Sequence, residues 1–337
     1  MIVKDKKKLA RVIATWVVTG VMLSVFLLDI AVVRIAYNYA SDVSVAQESA
    51  VLIKGDDRIH FLNTANSDCI LIESNGHFAL VDSGEGNNNP RRKTEYKGYE
   101  TEVISYIKKI CSDENGIAQL DFIVATHMHY DHSGNFEPII NDKDIKIGKA
   151  YIKSYNGSNA TKMDSESWGN LETYKKIISA LEKNDVQIIH QIPKEAFSFG
   201  DFTLQFINTV TPEEFKNAGE NANSIGIKLV KGDKSAFLAA DFTNDSGFEM
   251  TYAEEIGDID LLKIGHHGYF GSSSAGFLRV LKPEYAICTN HLGKIYPNVK
   301  WNLTMVAKAP VLSTAHRNGI IATFTDESEI RLSENIM

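Results

Sequence analysis

A continuous apolar run, LDFIVAT, passes directly into the stretch THMHYDHSG at residues 126–134. Such a run is typical of a buried strand, and loops at strand ends are where functional sites are usually built. His127 and His129 are two positions apart, so in an extended segment their side chains point to the same side. Asp131 and His132 follow at once. The stretch therefore predicts a ligand-bearing loop at the end of a buried strand.

This density of histidine and aspartate favours a metal site. Neutral imidazoles and carboxylates suit zinc, manganese or iron, and without a cation they would repel one another or lose hydrogen bonds on burial. A hydrated polar loop is the alternative. Two further apolar runs end in the same residue types, AFLAAD at Asp241 and KIGHHG at His266 and His267. Three such strand ends are what a two-metal hydrolytic site requires.

The composition of the chain limits the class of protein. Short apolar runs alternate with helical stretches in two halves of the 337-residue chain, which predicts a layered α/β domain. The net charge of −8 gives no general attraction to phosphate backbones, so a nucleic-acid substrate would need a local basic groove. Scattered candidates for such a groove are Lys146, Lys149, Lys153, Lys263 and Arg92. The three cysteines form no C-x-x-C pair, which excludes zinc-finger and thioredoxin-type sites.

The N-terminal segment differs from the rest of the chain. Residues 4–11 are strongly basic, and the uncharged run at 12–28, with the mostly apolar residues after it, is long enough to cross a membrane. The lysines predict an N-terminus inside the cell. We therefore expect a cytoplasmic stub and single-pass signal anchor at 1–40, a linker at 41–54 and an extracellular domain at 55–337. A cleaved signal peptide and a buried core helix are the alternatives.

The motifs together resemble those of the metallo-β-lactamase superfamily. They occur in the family order, as VDSGEG with Asp82, H-x-H-x-D-H, LAAD and HHG, and the likeness spans residue 57 to about 335. The resemblance implies a four-layer αββα sandwich with the metals at one rim. Two branches are similar: the extracellular phosphorylcholine esterase of choline-decorated teichoic acids, through NANSIGIKLV among other stretches, and the hydrolase domain of competence-type DNA-uptake channels, through the strand–HHG arrangement.

The resemblance also implies the roles of the site residues and a cofactor of one or two divalent ions, with zinc expected and manganese as the alternative. The six expected ligands are His127 and His129 for the first metal, Asp131, His132 and His267 for the second, and Asp241 between the two. His267 is preferred over His266 because the family ligand commonly precedes this glycine. His266 would then contact substrate, and it or Asp131 would handle protons. Asp82 would hold the ligand histidines through hydrogen bonds.

One departure from the family pattern concerns the first metal. Most members supply a third histidine from a strand end between the H-x-H-x-D-H motif and the bridging aspartate. Here that region offers FINTVTP, with Asn208 where a histidine is expected, whereas His190 lies earlier and within a strand. The first metal is therefore expected to be held by fewer protein ligands, by Asn208 or by water.

The expected function is that of a membrane-anchored, outward-facing, metal-dependent phosphodiesterase. Its substrate would be a cell-envelope polymer or lipid headgroup carrying phosphorylcholine-type substituents, and no protein partner is expected. Tyr130, Tyr155, Trp168 and Tyr269 would form an aromatic wall for a quaternary ammonium group, although packing against the sheet is the alternative for them. The other candidate functions are a nuclease in DNA uptake or processing, a carbon-ester or lactam hydrolase, and a catalytically weak binding protein.

Overall fold

The computed structural model describes residues 6–42, 45–47, 56–91, 97–155, 157, 160–210, 219–334 and 336–337. Sixteen strands lie in these ranges. The nine of the first sheet are β1 Val45–Gln47, β2 Asp57–Phe61, β3 Ile70–Ser74, β4 His77–Val81, β5 Ala118–Ala125, β6 Ile145–Ile152, β7 Gln187–Ile189, β15 Ile320–Phe324 and β16 Ile330–Glu334. The seven of the second are β8 Phe197–Phe199, β9 Phe202–Ile207, β10 Gly226–Lys231, β11 Lys234–Leu238, β12 Leu261–Lys263, β13 Tyr285–Cys288 and β14 Val311–Ser313.

The strand orders are β1-β16-β15-β2-β3-β4-β5-β6-β7 and β14-β13-β12-β11-β10-β9-β8. Within each sheet, the strands that carry the predicted motifs are parallel neighbours. Val81 of β4 pairs with Val124 of β5, and Leu238 of β11 pairs with Lys263 of β12. The carboxyl ends of parallel strands meet at one edge, which is where ligand sites form in open α/β sheets. This topology therefore gathers the loops after β4, β5, β11 and β12 at one rim.

Nine α-helices occur in the described ranges: α1 Lys6–Asp42, α2 Glu100–Cys111, α3 Tyr130–Ser133, α4 Phe136–Asn141, α5 Asn170–Lys183, α6 Phe248–Ile256, α7 Ala275–Leu281, α8 Pro297–Trp301 and α9 Thr314–Arg317. Helix α2 shows why they pack outside the sheets. Its buried residues Val103, Ile107 and Cys111 recur every four positions and form one apolar stripe.

Three clusters of buried apolar side chains define the layers. Ile59 and Phe61 of the first sheet meet Leu229 and Leu261 of the second in the central cluster. A second cluster lies between the first sheet and α2, α4 and α5, and a third lies between the other sheet and α6, α7 and α8. Full burial of one such side chain contributes roughly 1.5–3 kcal/mol. The expected four-layer αββα sandwich is confirmed.

Helix α1 contains an apolar stretch, Lys7–Val32, that is long enough to cross a membrane. The expected N-terminal helix is thereby confirmed as a helix that could span a membrane. Two observations bear on the expected linker at 41–54. Helix α1 continues to Asp42, and Val45–Gln47 forms β1, which pairs in parallel with β16. Part of that segment is thus joined to the first sheet, and the rest of it lies outside the described residues.

Candidate metal centre

The loop after β5 is fixed by Asp82, the residue that directly follows β4. Asp82 Oδ1 accepts a hydrogen bond from the Thr126 backbone N–H at 2.9 Å, and Asp82 Oδ2 accepts one from the Thr126 hydroxyl at 2.8 Å. Beyond Thr126 the chain stays extended to His129, which precedes α3. The two histidines of H-x-H therefore leave an extended segment, and Asp131 and His132 leave the first turn of a helix. Because the backbone changes from extended to helical within the motif, its side chains form a concave group.

The loop after β12 is fixed by close backbone packing. A Cβ at Gly265 would collide with the carbonyl oxygen of Phe242, so only glycine fits there. His266 and His267 then adopt φ of 48° and 49°, in the left-handed region that side chains rarely occupy. Asp82 also has a positive φ, of 55°. Such backbone strain clusters at functional sites, where the surrounding structure maintains it.

Side chains from the two sheets converge on Asp241. Its carboxylate lies 3.7 Å from His127 Nε2, 3.1 Å from His132 Nε2 and 3.4 Å from His267 Nε2. His129 Nδ1 lies 3.2 Å from His127 Nε2. The potential ligand atoms form two groups, each within 4.8 Å. We call His127, His129 and Asp241 the first ligand group, and Asp68, His132, Asp241 and His267 the second ligand group.

Each converging histidine is oriented through its other ring nitrogen. His132 Nδ1 lies 2.7 Å from Asp82 Oδ2, and His267 Nδ1 lies 3.0 Å from the Thr289 hydroxyl and 3.3 Å from Asp68 Oδ1. In the first ligand group, His129 Nε2 lies 2.9 Å from Asp164 Oδ1, and His127 Nδ1 lies 3.1 Å from the Thr126 hydroxyl. A partner of this kind fixes the tautomer and leaves the opposite nitrogen free for a ligand. All four free nitrogens face the centre.

The carboxylates and imidazole rings of the centre shift each other's pKa values. Burial raises the pKa of Asp241, but the neighbouring rings of His132 and His267 outweigh burial and hold that pKa well below its usual range. Burial lowers the pKa of His132, but the Asp241 and Asp82 carboxylates outweigh it and raise that pKa well above normal. For Asp164, burial raises the pKa, yet the hydrogen bond from His129 lowers it to about 2. The carboxyl groups of Asp241 and Asp164 therefore stay ionised.

The donor set fits a divalent cation. In the part of the chain that the structure describes, the buried Asp131 Oδ1 has no hydrogen-bond partner. Asp241 Oδ1 faces the ring nitrogens of His132 and His267. A buried carboxylate oxygen without a donor is costly unless a cation faces it. Imidazole nitrogens and carboxylate oxygens are the donors that zinc and similar metals accept. The His and Asp side chains are thus positioned for a metal site.

The predicted ligands other than Asp131 all belong to the two groups. Asp131 is buried, and its Oδ2 lies 3.8 Å from His267 Nε2, at the rim of the second group. His266 lies outside both groups, with Nε2 3.9 Å from Asp241 Oδ2, and its side chain is 27% exposed. The geometry thus brings His267 to the centre and leaves His266 facing the opening.

Asn208 does not take the place of a third histidine. Its amide N–H groups donate to the carbonyl oxygens of Ala222 and Ser224, and its own oxygen accepts from the Tyr252 hydroxyl. These bonds use the side chain to hold the turn at 220–224, so, of the three alternatives for the first metal, coordination by Asn208 does not fit this geometry. Ser224 of that turn places its hydroxyl 3.5 Å from His127 Nδ1. Asn208 therefore supports the first ligand group indirectly, by holding the turn whose Ser224 hydroxyl lies near His127.

A cavity of about 290 Å³ opens onto the centre. Trp168 stacks on His129 with 4.2 Å between the ring centroids, and the Arg91 guanidinium lies 4.6 Å from the Trp168 ring centroid. Tyr269 lines the opposite wall beside His266. Two of the four aromatics expected around the substrate, Trp168 and Tyr269, are thus in place.

The expectation for Tyr130 and Tyr155 is wrong. Both are buried, at 6% exposure, and neither lines this cavity. Tyr130 follows His129 at the start of α3, and its hydroxyl points toward Gly86, away from Asp241. Tyr155 belongs to the cluster between the first sheet and its helices, where it packs near Tyr174. The alternative interpretation, packing against the sheet, holds for Tyr155.

Two of the five basic residues considered for a nucleic-acid groove are buried. Lys263 is 0% exposed and forms an ion pair with Asp68, and Lys153 donates to the carbonyl oxygen of Asn223. Lys146 and Lys149 lie on β6, where they pair with Gln119 and Phe122 of β5. Arg92 lies outside the described residues. Lys153 and Lys263 thus hold the interior of the domain instead of lining a groove.

Three functional partners were missed by the sequence analysis. Asp68, Asp164 and Thr289 each contact a converging histidine, yet none lies in a recognisable motif. Asp164 belongs to a five-residue π-helical turn, Asp164–Trp168. Thr289 directly follows β13, so its place after an apolar run was the one available signal. Asp68 lies in the loop between β2 and β3, where nothing marks it.

Comparisons with known proteins agree with this geometry. Residues 62–213 match the family model described as Metallo-beta-lactamase superfamily. ComE operon protein 3 of Bacillus subtilis (strain 168) is 26% identical over 51% of this chain and 20% of its own length. Competence protein ComA of Neisseria gonorrhoeae is 23% identical over 54% of this chain and 21% of its own. The chain thus spans about a fifth of the length of these relatives.

Among solved structures, the fold is similar to that of the metallo-beta-lactamase fold protein YhfI from Bacillus subtilis. The two are 14% identical, the match covers 77% of this chain and 96% of that chain, and the TM-score is 0.48.

Proposed function

Since the chain carries a metallo-beta-lactamase superfamily domain, we propose that it is a metal-dependent phosphodiesterase held at a membrane by its N-terminal helix. The observation that carries this proposal is the convergence of four imidazole nitrogens on the Asp241 carboxylate, with ligand atoms within 4.8 Å in each group. The basic residues before the apolar stretch support an N-terminus inside the cell and a domain outside.

The residues of the first ligand group would hold one cation, and His132, His267 and Asp241 would hold the other, with Asp131 completing it from the rim. Asp68 is assigned a different role, because its oxygens are already occupied by the Thr289 hydroxyl and the Lys263 ammonium. It would orient His267. Zinc is the metal that this donor set favours, and manganese is the alternative.

A divalent cation in such a site lowers the pKa of a coordinated water and screens the negative oxygens of a phosphodiester. The chain supplies the rest of the chemistry. Asp82, Asp164 and Thr289 keep three ligand histidines in the required tautomer and orientation. His266 and Asp131 face the cavity and are the groups available to move a proton to or from substrate.

The cavity suits a phosphodiester that carries one compact organic group. Arg91 can contact phosphate oxygens through its planar guanidinium, and its position over Trp168 places that contact within the cavity wall. Trp168 and Tyr269 offer ring faces to a quaternary ammonium group. The chain is acidic, and Lys153 and Lys263 are buried, so a cell-envelope phosphodiester is favoured over a long nucleic acid.

A nuclease is the second candidate, and a different observation favours it. One relative is named Competence protein ComA, and uptake of DNA is the process to which competence refers. The exposed part of Trp168 could stack one base, as aromatic platforms do in proteins that bind single strands. The cavity volume of about 290 Å³ would limit such a substrate to a single-stranded end.

The test uses the full chain in detergent, supplied with zinc or manganese. Four substrates are compared: bis-p-nitrophenyl phosphate, p-nitrophenyl phosphorylcholine, single-stranded DNA and nitrocefin. We expect chelator-sensitive hydrolysis of the first two, with the choline ester preferred. Preference for the DNA would establish the second candidate, and preference for nitrocefin would contradict both. An Asp241→Asn variant that hydrolyses all substrates as wild type does would overturn the assigned centre.

A further inference from the structure

Four large apolar side chains are exposed on one side of the domain. Phe270, Tyr296, Trp301 and Met305 are between 43% and 63% exposed, and we call them the aromatic patch. Phe270 and Tyr296 are in contact, with ring centroids 6.1 Å apart. Trp301 ends α8, one turn beyond Tyr296, and Met305 lies one turn further along the π-helical segment 302–307. Monomeric soluble surfaces rarely gather such side chains without a binding role.

The aromatic patch lies next to the point where α1 reaches the domain. Lys300, buried at 4% exposure, places its ammonium 3.0 Å from Asp29 Oδ1 of α1. Val32, one turn after Asp29, is also buried, whereas residues 7–28 are all exposed. Trp301 is the neighbour of Lys300 in sequence. The patch is therefore continuous with the contact between α1 and α8.

The length of the exposed part of α1 sets the distance to the membrane. At 1.5 Å per residue, residues 7–28 are about 33 Å long, which matches a hydrocarbon thickness of about 30 Å. If this part of α1 crosses the bilayer, Asp29 lies at its surface. Lys300 and the aromatic patch then lie at the same level. No extended segment separates the domain from the lipid, because α1 continues as a helix through its contact with Lys300.

The charge around the patch suits a lipid surface. Residues 291–310 contain Lys294, Lys300 and Lys308 and no acidic residue, in a chain whose net charge is −8. Lys294 and Lys308 are exposed. Lysines near a membrane attract anionic headgroups, and tryptophan and tyrosine are enriched at the boundary between headgroups and hydrocarbon.

We propose that the aromatic patch is a membrane-interface surface, inserted among the headgroups of the leaflet from which α1 emerges. The inference rests on the proposed anchoring by α1. It has a consequence for the site, because the Tyr296 ring lies 5.9 Å from that of Tyr269, which lines the cavity. The patch thus reaches from the base of α1 to the rim of the cavity. It holds the cavity mouth at the lipid surface, where substrates within or just above the headgroup layer reach the metal centre.

Tryptophan fluorescence tests this arrangement with a native residue. The chain has three tryptophans, so the full-length Trp16→Phe/Trp168→Phe variant leaves Trp301 alone. It is reconstituted in phosphatidylcholine–phosphatidylglycerol vesicles whose lipids carry bromine either near the headgroup or near the chain ends. Because interfacial side chains lie about 5–10 Å into the headgroup boundary, we expect the shallow bromines to remove about half of the Trp301 emission and the deep ones much less.

The matched control moves the probe to the opposite outer layer. Leu171, exposed at 39% at the start of α5, becomes the sole tryptophan in Trp16→Phe/Trp168→Phe/Trp301→Phe/Leu171→Trp, which should not be quenched. Flotation of the vesicles reports the anchor separately. A chain that floats while Trp301 and Leu171→Trp are quenched equally or not at all overturns the interface and leaves the hydrolase proposal standing. A chain that does not float overturns the anchor and the interface together. Neither readout requires metal or turnover, so quenching of Trp301 together with no hydrolysis by the wild-type chain would refute the phosphodiesterase alone.

Discussion

The two ligand groups share Asp241 but differ in how the rest of each is built. In the second group, His132 and His267 are at most 1% exposed, and their partners Asp82 and Thr289 directly follow strands. In the first group, His129 is 7% exposed, and its partner Asp164 comes from a π-helical turn. The first group also has three donors, whereas His132, His267 and Asp241 of the second are joined at the rim by Asp131. A site held by strand ends is more rigid than one held by a turn, so we expect the second group to bind a cation more tightly.

The largest effect on metal binding and hydrolysis is expected from a change at the residue that both ligand groups share. Asp241→Asn removes the carboxylate that both groups share, and both metals should be lost. Since a bound metal contributes several kcal/mol to charge stabilisation, hydrolysis should fall by about 1000-fold or more. Metal content by mass spectrometry and turnover of bis-p-nitrophenyl phosphate measure this. Asp245→Asn, in the exposed turn that follows, is the matched control and should bind and react as wild type does. Wild-type metal content in Asp241→Asn would show that the groups do not meet at this residue.

The next largest effect is expected from the buried ion pair that supports the second ligand group. The fully buried Lys263 forms an ion pair with Asp68, which in turn contacts His267. Lys263→Met leaves an uncompensated buried carboxylate, so the free energy of unfolding should fall by about 3–5 kcal/mol. Asp68→Asn/Lys263→Met should recover most of that loss. Urea unfolding of the full chain in detergent with chelator measures both without a contribution from metal.

A surface pair provides the control for that measurement. Lys282 and Asp258 are 3.1 Å apart, but their side chains are 66% and 64% exposed. Exposed pairs contribute about 0–1 kcal/mol, so Lys282→Met should change stability little. Equal losses in Lys263→Met and Lys282→Met would mean that the buried pair does not support the second group.

The same contrast explains how much of the site the sequence revealed. Motifs at the ends of apolar runs are visible because a polar residue interrupts a recognisable pattern, as at His127, Asp241 and His267. The strands, the helix α2 and the layered fold were predictable for the same reason. Among the residues that orient these ligands, Asp82 was expected from its motif. Asp68 and Asp164 were not predictable, because they come from a loop and a π-helical turn without period or turn signal. Their positions depend on tertiary packing between sheets.

The positions of charged and aromatic side chains were the least predictable feature of the site. Lys263 lies in the run DLLKIG and appears in sequence as one more surface lysine, yet it is paired inside the domain. Tyr130 lies within the ligand motif, but the helical turn of α3 carries its ring away from the centre. Sequence position within a motif does not fix the direction of a side chain when the backbone changes from extended to helical.

The orienting carboxylates allow the two groups to be compared directly. Asp82→Asn and Asp164→Asn each replace a carboxylate on a ligand histidine by a neutral amide, and loss of such a partner typically costs 10–100-fold in metal affinity. We expect Asp82→Asn to weaken the second metal and Asp164→Asn to weaken the first. Titration with zinc in a competing chelator resolves the two steps. If Asp164→Asn weakened the tighter step instead, the order of affinities argued above would be reversed.

The smallest effect is expected from the ring that covers the first group alone. Trp168 stacks on His129 at 4.2 Å with an interplanar angle of 25°, and no ring contact joins it to His132 or His267 among the described residues. Aromatic pairs contribute about 0.5–1.5 kcal/mol beyond their buried area. Trp168→Leu should therefore weaken the first metal by a factor of about 2–10 and leave the second unchanged. Trp301→Leu is the control for loss of a tryptophan and should alter neither titration step. A change in the second step in Trp168→Leu would mean that the two groups respond as one unit, and that the turn at Asp164–Trp168 is as firmly joined to the sheets as the strand ends are.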